Sequence, residues 1–324
     1  MTVLIINPKN NLPLSFSDGK LMDSEANIFP IINGVARIAD LDNYTENFGI
    51  QWNKFDKTQL DREDDELKLS QKRFFAESGW KPDDLAKKNI LEVGSGAGRF
   101  SKVVLEHTQA QLYSIDYSDA VSANYKNNGP IAPGRFHLFQ ASIYEMPFPD
   151  NTFDKVFCFG VLQHTPDFQS SVKSLISKAK LGGEVVVDFY PIKGWWTKIH
   201  AKYIFRPWTK RMTHERLFNL IEKNVAWLIY LSRFLNKVGL GVITRILPIV
   251  DLATMPSAYL NEVQFREWVV LDTFDMFSPE HDHPQRIRDV ATMFSSNGVN
   301  VTFAGFVEFG DGFKAAVVRG IKQE

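Results

Sequence analysis

Between Asn89 and Phe100 the chain reads NILEVGSGAGRF: a short apolar run, an acid at Glu92, then glycines at alternate positions, Gly94, Gly96 and Gly98, with Ser95 between the first two. Glycines let a backbone approach a ligand closely. A helix that starts directly after them offers unpaired N–H groups and the positive end of its dipole. Such a turn is shaped for a nucleotide or nucleoside. The dinucleotide fingerprint would place its third glycine at position 99, which is arginine here. A carboxylate at Glu92 would repel a pyrophosphate and suits a cationic ligand instead.

S-adenosylmethionine carries an ammonium and a sulfonium and no phosphate. The run from Glu92 to Gly98 resembles the first motif of the class I S-adenosylmethionine-dependent methyltransferases, and further positions extend the resemblance. Asp116, followed by Tyr117, closes the run AQLYSID. An acid at the tip of the second strand, about 20 residues beyond the glycine turn, can take both hydrogens of a ribose diol; the alternative is an aspartate that only ends the strand or caps the next helix. In QASIYEMPF the family places an acid against the adenine amino group where this chain has Ser142. Serine bonds there without charge, which leaves adenine to the Ile143 backbone and apolar walls. Gly160 and Val161, after the strand-like FDKVFCF, fall where the resemblance puts the methionine portion and the methyl group. Methyl transfer needs alignment, exclusion of water and, for a hydroxyl acceptor, removal of a proton. His164 is the candidate base; the alternative is a histidine that caps the next helix or bonds a loop carbonyl.

The elements that must position these residues follow from periodicity and turn chemistry. From residue 86 to 190, strand-like and helix-like patterns alternate as in a doubly wound, mostly parallel α/β sheet. Residues 1–40 read as a small β unit; FPIINGVARI resembles the zinc-ribbon-like leader of methyltransferases acting on bacterial surface polysaccharides, without its cysteines. Residues 41–85 read as helical, and GIQWNKFDKTQLD, with Gln51 and Trp52, resembles the segment that covers the cofactor in that group; an aromatic helix packed on the core is the alternative. Residues 191–270 read as an inserted helical lid carrying the acceptor region. Residues 271–324 return to strands and end in a hairpin around Gly310, Asp311 and Gly312.

The acceptor must be read from the later sections. From Pro191 to Arg216 there are seven Lys/Arg against one acid, interleaved with Trp195, Trp196, Tyr203, Phe205 and Trp208. Such a mixture binds phosphate, as in a nucleotide sugar or lipid-linked diphosphate, lies at a membrane interface over residues 193–216, or forms a lid with solvated charges. Arg206 is the contact expected from this section. Asp272 and Asp275, near His281, Asp282 and His283, are the expected substrate carboxylates; metal binding is the competing reading, and no metal is assigned.

Whole-chain properties narrow the classes. With Lys+Arg 37 against Asp+Glu 38, no overall field recruits nucleic acid, and none is expected as partner. Cys158 stands alone, which excludes an intrachain disulfide and a multi-cysteine zinc site. The start MTVLIINPKNN lacks a signal-peptide pattern. The apolar stretch Val225 to Val250 is interrupted by Arg233, Lys237 and Arg245. A cytoplasmic protein, at most peripheral to the inner face of the membrane, is expected. The expected activity is methyl transfer from S-adenosylmethionine to a hydroxyl of a sugar or glycan precursor. An apolar small molecule or lipid acceptor, or a non-catalytic cofactor-binding scaffold, is the alternative.

Overall fold

The computed structural model describes residues 3–17, 19–39, 43–192, 194, 199–310 and 312–323. Lys193, Trp195, Trp196 and Lys198 of the basic, aromatic section, and Asp311 of the C-terminal turn, lie outside the described residues. The chain begins with four short strands, β1 (Ser15–Ser17), β2 (Lys20–Met22), β3 (Ile28–Ile32) and β4 (Val35–Arg37). Two helices follow, α1 (Glu46–Lys54) and α2 (Leu69–Ser78). The core then alternates: β5 (Asn89–Val93), α3 (Arg99–His107), β6 (Gln111–Asp116), α4 (Ala120–Asn128), β7 (Phe136–Gln140), β8 (Phe153–Cys158), α5 (Phe168–Lys178) and β9 (Ala179–Phe189). After it come α6 (Ala201–Thr209), α7 (His214–Lys237), α8 (Glu262–Phe277), α9 (Ile287–Ser296), β10 (Val299–Phe309) and β11 (Phe313–Lys322).

The strands form one sheet in the order β1-β2-β3-β4-β7-β6-β5-β8-β9-β11-β10. The run from β4 to β9 is parallel, and β10 and β11 add an antiparallel pair beside β9. Ile90, Leu91, Leu112, Val156 and Phe157 are fully or almost fully buried. Strands covered on both faces by helices must be apolar on both, and these are. The strand order reverses on either side of β5, so the crevice beyond its carboxyl end is where an open α/β sheet binds ligands. The glycine turn leaves β5 at that point.

The leader is no separate body. Ala36 and Arg37 of β4 pair in parallel with Phe139 and Gln140 of β7, so the small β unit extends the core sheet. Arg37 is buried and donates to Asp119 Oδ1 at 2.9 Å and Gln140 Oε1 at 3.0 Å. The leader's own turns converge on Asp23. Side-chain amides of Asn7, Asn10 and Asn27 donate to its Oδ2 at 2.7, 2.9 and 2.9 Å, and the N–H groups of Glu25 and Asn27 donate to Oδ1. Hydrogen bonds to an ionised acceptor are roughly twice as strong as neutral ones, which suits a unit with little core of its own.

A second apolar core lies outside the sheet, where α7 and α8 pack through Phe218, Val225, Val269, Phe274 and Phe277, with Phe55 beside α1. Helix α8 starts with a capping box: Asn261 Oδ1 accepts from Gln264 N–H at 2.9 Å, and Gln264 Oε1 accepts from Asn261 N–H at 3.1 Å. Such a cap stabilises a helix by about 1 kcal/mol. Here it fixes the helix that presents Asp272 and Asp275.

Candidate active site

A cavity of about 840 Å³ opens over the carboxyl ends of β5, β6 and β8, roofed by α1, α8 and the segment following β9. That is near the upper end of the range for small-molecule sites and leaves room for two molecules side by side. Its floor is the turn Gly94-Ser95-Gly96. Gly94 has φ +81°, and a Cβ there would lie 2.2 Å from Val161 Cγ2. Gly96 has φ +52°, and a Cβ there would lie 3.2 Å from Trp52 Nε1. The indole of Trp52 therefore lies over the turn, and only glycine leaves space between them.

Asp116 ties this floor to the tip of β6. Its Oδ2 accepts from Gly96 N–H at 2.8 Å, and its Oδ1 accepts from Ser118 N–H at 2.8 Å and Ser118 Oγ at 2.6 Å. Burial pushes this carboxyl up and the three hydrogen bonds pull it back. A carboxylate has about four acceptor positions, so one remains for a ligand hydroxyl. Tyr117, Ile143, Gly160 and Val161 also line the cavity.

The buried polar atoms around the floor fit a bound nucleoside with an amino-acid tail. Gln51 is 1% exposed, and both atoms of its amide lack a hydrogen-bond partner among the described residues. Ser95 Oγ is likewise buried and unpaired. Leaving such groups unsatisfied costs about 1–3 kcal/mol each, a cost that a polar ligand would relieve. Both residues line the cavity.

Four of the residues expected at the site lie elsewhere. Glu92 is buried behind the turn, where its Oε2 accepts from Ser114 Oγ at 2.8 Å and from Ser101 Oγ. Burial raises its pKa to about 7 against the pull of those hydroxyls. It joins β5 to α3 and β6 and is not part of the cavity wall. Gly98 is the residue before α3 and packs against Asn124 and Asn128. Ser142 Oγ accepts from Tyr144 N–H at 3.2 Å, a turn cap beside the wall that Ala141 and Ile143 form. Arg206, 8% exposed, donates from Nη2 to the carbonyl of Pro279 at 2.8 Å, which pins α6 to the end of α8. Arg206→Gln is expected to lower the unfolding free energy by about 1.5–3 kcal/mol, as for a lost bond to a charged group. Thermal melts would read this loss, with S-adenosylhomocysteine affinity unchanged.

His164 lies at the far side of Val161, 6% exposed and facing the cavity. Its Nδ1 is 3.2 Å from the carbonyl oxygen of His281. A carbonyl only accepts, so the hydrogen resides on Nδ1 and Nε2 carries the lone pair. Nε2 has no partner among the described residues. Burial lowers the pKa of this imidazole below its ordinary value, so it is neutral at pH 7. The rings of Phe48 and Tyr190 hold it at 5.3 and 5.5 Å between centroids.

Beyond His164 the wall becomes polar. Tyr190 Oη donates to Asp275 Oδ2 at 3.1 Å. One turn earlier on the same face of α8, Asp272 Oδ1 accepts from Gln59 Nε2 at 3.2 Å, and Gln59 Oε1 accepts from Arg99 Nη1 at 3.2 Å. Burial, reinforced by the neighbouring Asp275, raises Asp272 to about 7. The remaining residues of the expected Asp/His cluster turn away: Asp282 is buried in an ion pair with Lys202 at 2.6 Å, and His281 stacks on His283. Among the described residues no group of three or more His, Cys, Asp or Glu is placed to hold a metal ion.

Gln59, Arg73, Arg99, Tyr190 and Lys202 line the cavity without having been singled out in the sequence. Arg99 did leave a signal. It opens a helix, where the dipole disfavours a cation, so a further partner was required. Arg73 gave none: its guanidinium binds Glu77 at 2.7 Å and Asp188, a residue 115 positions away.

Residues 91–187 match the family profile described as "Methyltransferase domain". Among curated proteins, the chain is similar to a tRNA U34 carboxymethyltransferase of Nautilia profundicola, 29% identical over 34% of this chain and 37% of that protein. It is also similar to a ubiquinone/menaquinone biosynthesis C-methyltransferase of Vibrio cholerae, 30% identical over 36% of this chain and 47% of that protein. The chain thus spans less than half the length of these relatives. Among solved structures, the magnesium protoporphyrin IX methyltransferase of Synechocystis PCC 6803 aligns over 86% of this chain and 97% of its own, with 12% identity and a TM-score of 0.45.

Proposed function

We propose that the chain, whose residues 91–187 match the methyltransferase domain profile, uses S-adenosylmethionine to methylate a hydroxyl of a sugar or glycan precursor. The observation that carries this reading is the continuous path from His164 through Tyr190 to Asp275 and Asp272 along one wall of the cavity. A neutral imidazole takes the proton of the reacting hydroxyl; two carboxylates one helical turn apart accept hydrogen bonds from its neighbours. Gly94, Ser95, Gly96, Gln51, Trp52, Asp116 and Ile143 would hold the cofactor. Bound there, it supplies an electrophilic methyl group on a sulfonium. Trp52 and Phe48, on α1, keep water from the reacting centre.

The apolar part of the wall, with Phe55, Phe159, Leu271 and Met276, favours a second reading, an apolar small molecule or lipid acceptor. The tRNA-directed relative matches over 34% of this chain, too little to carry its acceptor over, and Asp272 lies outside residues 91–187, which match the methyltransferase profile.

Labelled S-adenosylmethionine offered with nucleotide sugars, lipid-linked saccharides, free quinols and bulk tRNA tests the proposal. Transfer to a saccharide is expected; transfer only to quinols or tRNA would overturn it. For the saccharide, KM should fall as pH rises through about 7, because Asp272 accepts hydrogen bonds best as the carboxylate. Asp272→Asn should remove that dependence and raise KM roughly tenfold, the loss expected for one hydrogen bond to a charged group. An unaltered pH profile in Asp272→Asn would take the acceptor away from α8.

A further inference from the structure

The outer face of α7 is built from two adjacent rows. Positions seven apart return to nearly the same side of a helix, drifting only about 20°. Leu220, Trp227 and Phe234 form one row, 50%, 62% and 49% exposed. Arg216, Lys223, Tyr230 and Lys237 form the other, all of them exposed. The opposite face, with Leu217, Ile221, Val225 and Leu228, is buried in the helical core, so the exposed rows are surplus to folding. Glu215 and Glu222, the acids of this helix, lie on its flank, away from the apolar row. The apolar surface continues into residues 241–246, which pack on α7 and expose Val242, Ile243 and Ile246.

We infer that α7 and residues 241–246 form a docking surface for an anionic lipid bilayer, with the helix lying in the plane of the headgroups. Charge complementarity selects this occupant. Trp227 and Tyr230 are the residue types that settle at headgroup depth, and the row of Arg216, Lys223 and Lys237 beside them meets anionic lipid phosphates. Among the described residues no helix is long and apolar enough to cross a membrane, so the contact is peripheral. The surface shares only Arg216 with residues 193–216, where Lys202 and Arg206 are buried. It also adjoins the cavity: Arg245, between the exposed Ile243 and Ile246, lines the pocket wall. An acceptor carried by the bilayer would therefore enter beside the docked face. Docking itself does not rest on the acceptor being a saccharide, so vesicle binding and methyl transfer can fail independently.

Sedimentation of the full chain with vesicles of equal parts phosphatidylglycerol and phosphatidylcholine tests this, with pure phosphatidylcholine as control. Retention by the anionic vesicles is expected, falling as salt rises. Arg216→Gln, Lys223→Gln and Lys237→Gln together should weaken it on the order of a hundredfold, about fivefold per charge. Trp227→Ser or Phe234→Ser should weaken it roughly tenfold or more each. All five positions are exposed, and unchanged S-adenosylhomocysteine affinity would certify the fold of each variant. Failure of the wild type to sediment with anionic vesicles, or equal retention of the Trp227→Ser and Phe234→Ser variants, would overturn the proposal. A dimer dissolved by Trp227→Ser, without vesicle binding, would assign the face to a second copy of the chain instead.

Discussion

Gly96→Val is expected to abolish binding of S-adenosylhomocysteine in calorimetry while the protein still melts cooperatively. Two costs fall on the same residue. The backbone at φ +52° is left-handed, which costs a non-glycine residue about 1–2 kcal/mol and a β-branched one more. The new Cβ starts 3.2 Å from Trp52 Nε1, and its two methyl groups must occupy the space between the indole and the turn at the floor of the cavity. Gly96→Ala separates the terms. It carries most of the backbone strain but only one added carbon, and should retain weakened binding. Affinity within tenfold of wild type in Gly96→Val would show that the ligand does not use this turn. Preferential binding of NAD would overturn the assignment of the cofactor.

His164→Ala should lower turnover by roughly 10²–10⁴-fold at saturating acceptor, with cofactor affinity nearly unchanged, as for loss of a general base. The pH profile supplies a second readout. Burial lowers the pKa of His164, so its base form is present above that value and is lost as pH falls through it. Wild-type kcat should therefore be level near pH 7 and decline on the acid side of the ordinary imidazole pKa, about 6.5. That acid limb should vanish in the alanine variant. His164→Asn, whose amide can still donate toward the carbonyl of His281, separates a positional role from a chemical one. Full recovery of turnover in that variant would remove the base assignment.

Both experiments rest on residues that could be read from the sequence, and the reason is local. The glycine turn and Asp116 belong to consecutive strands of one βαβ unit, so spacing along the chain translates directly into spacing across the crevice. The acceptor wall is different. Asp272 and Asp275 reach the cavity only because α8 packs through Asn47 and Ser278, partners 231 positions apart, against the helix that carries Trp52. Composition could mark these aspartates as unusual but could not tell them from Asp282, which is consumed by Lys202. Arg206 illustrates the same limit. A run of basic residues beside tryptophans has the composition of a ligand clamp, yet the carbonyls at the end of α8 need a donor and take the guanidinium. The surface of α7 is illegible in the sequence for the opposite reason: an apolar residue every seven positions fits a buried seam as well as an exposed one until the other face is known to be filled.

The pairing of β4 with β7 bears on how the chain is made. Residue 36 meets residue 139, and a parallel contact of that span must wait until everything between has been synthesised and the central strands have assembled. The leader leaves the ribosome well before the strand it pairs with and is among the last elements to find its place. In the interval the outer edge of β7 has unpaired N–H and C=O groups, the kind of edge that recruits strands from other molecules. Removing residues 1–39 should therefore affect recovery of soluble protein more than it affects the cavity, which lies on the other side of that strand.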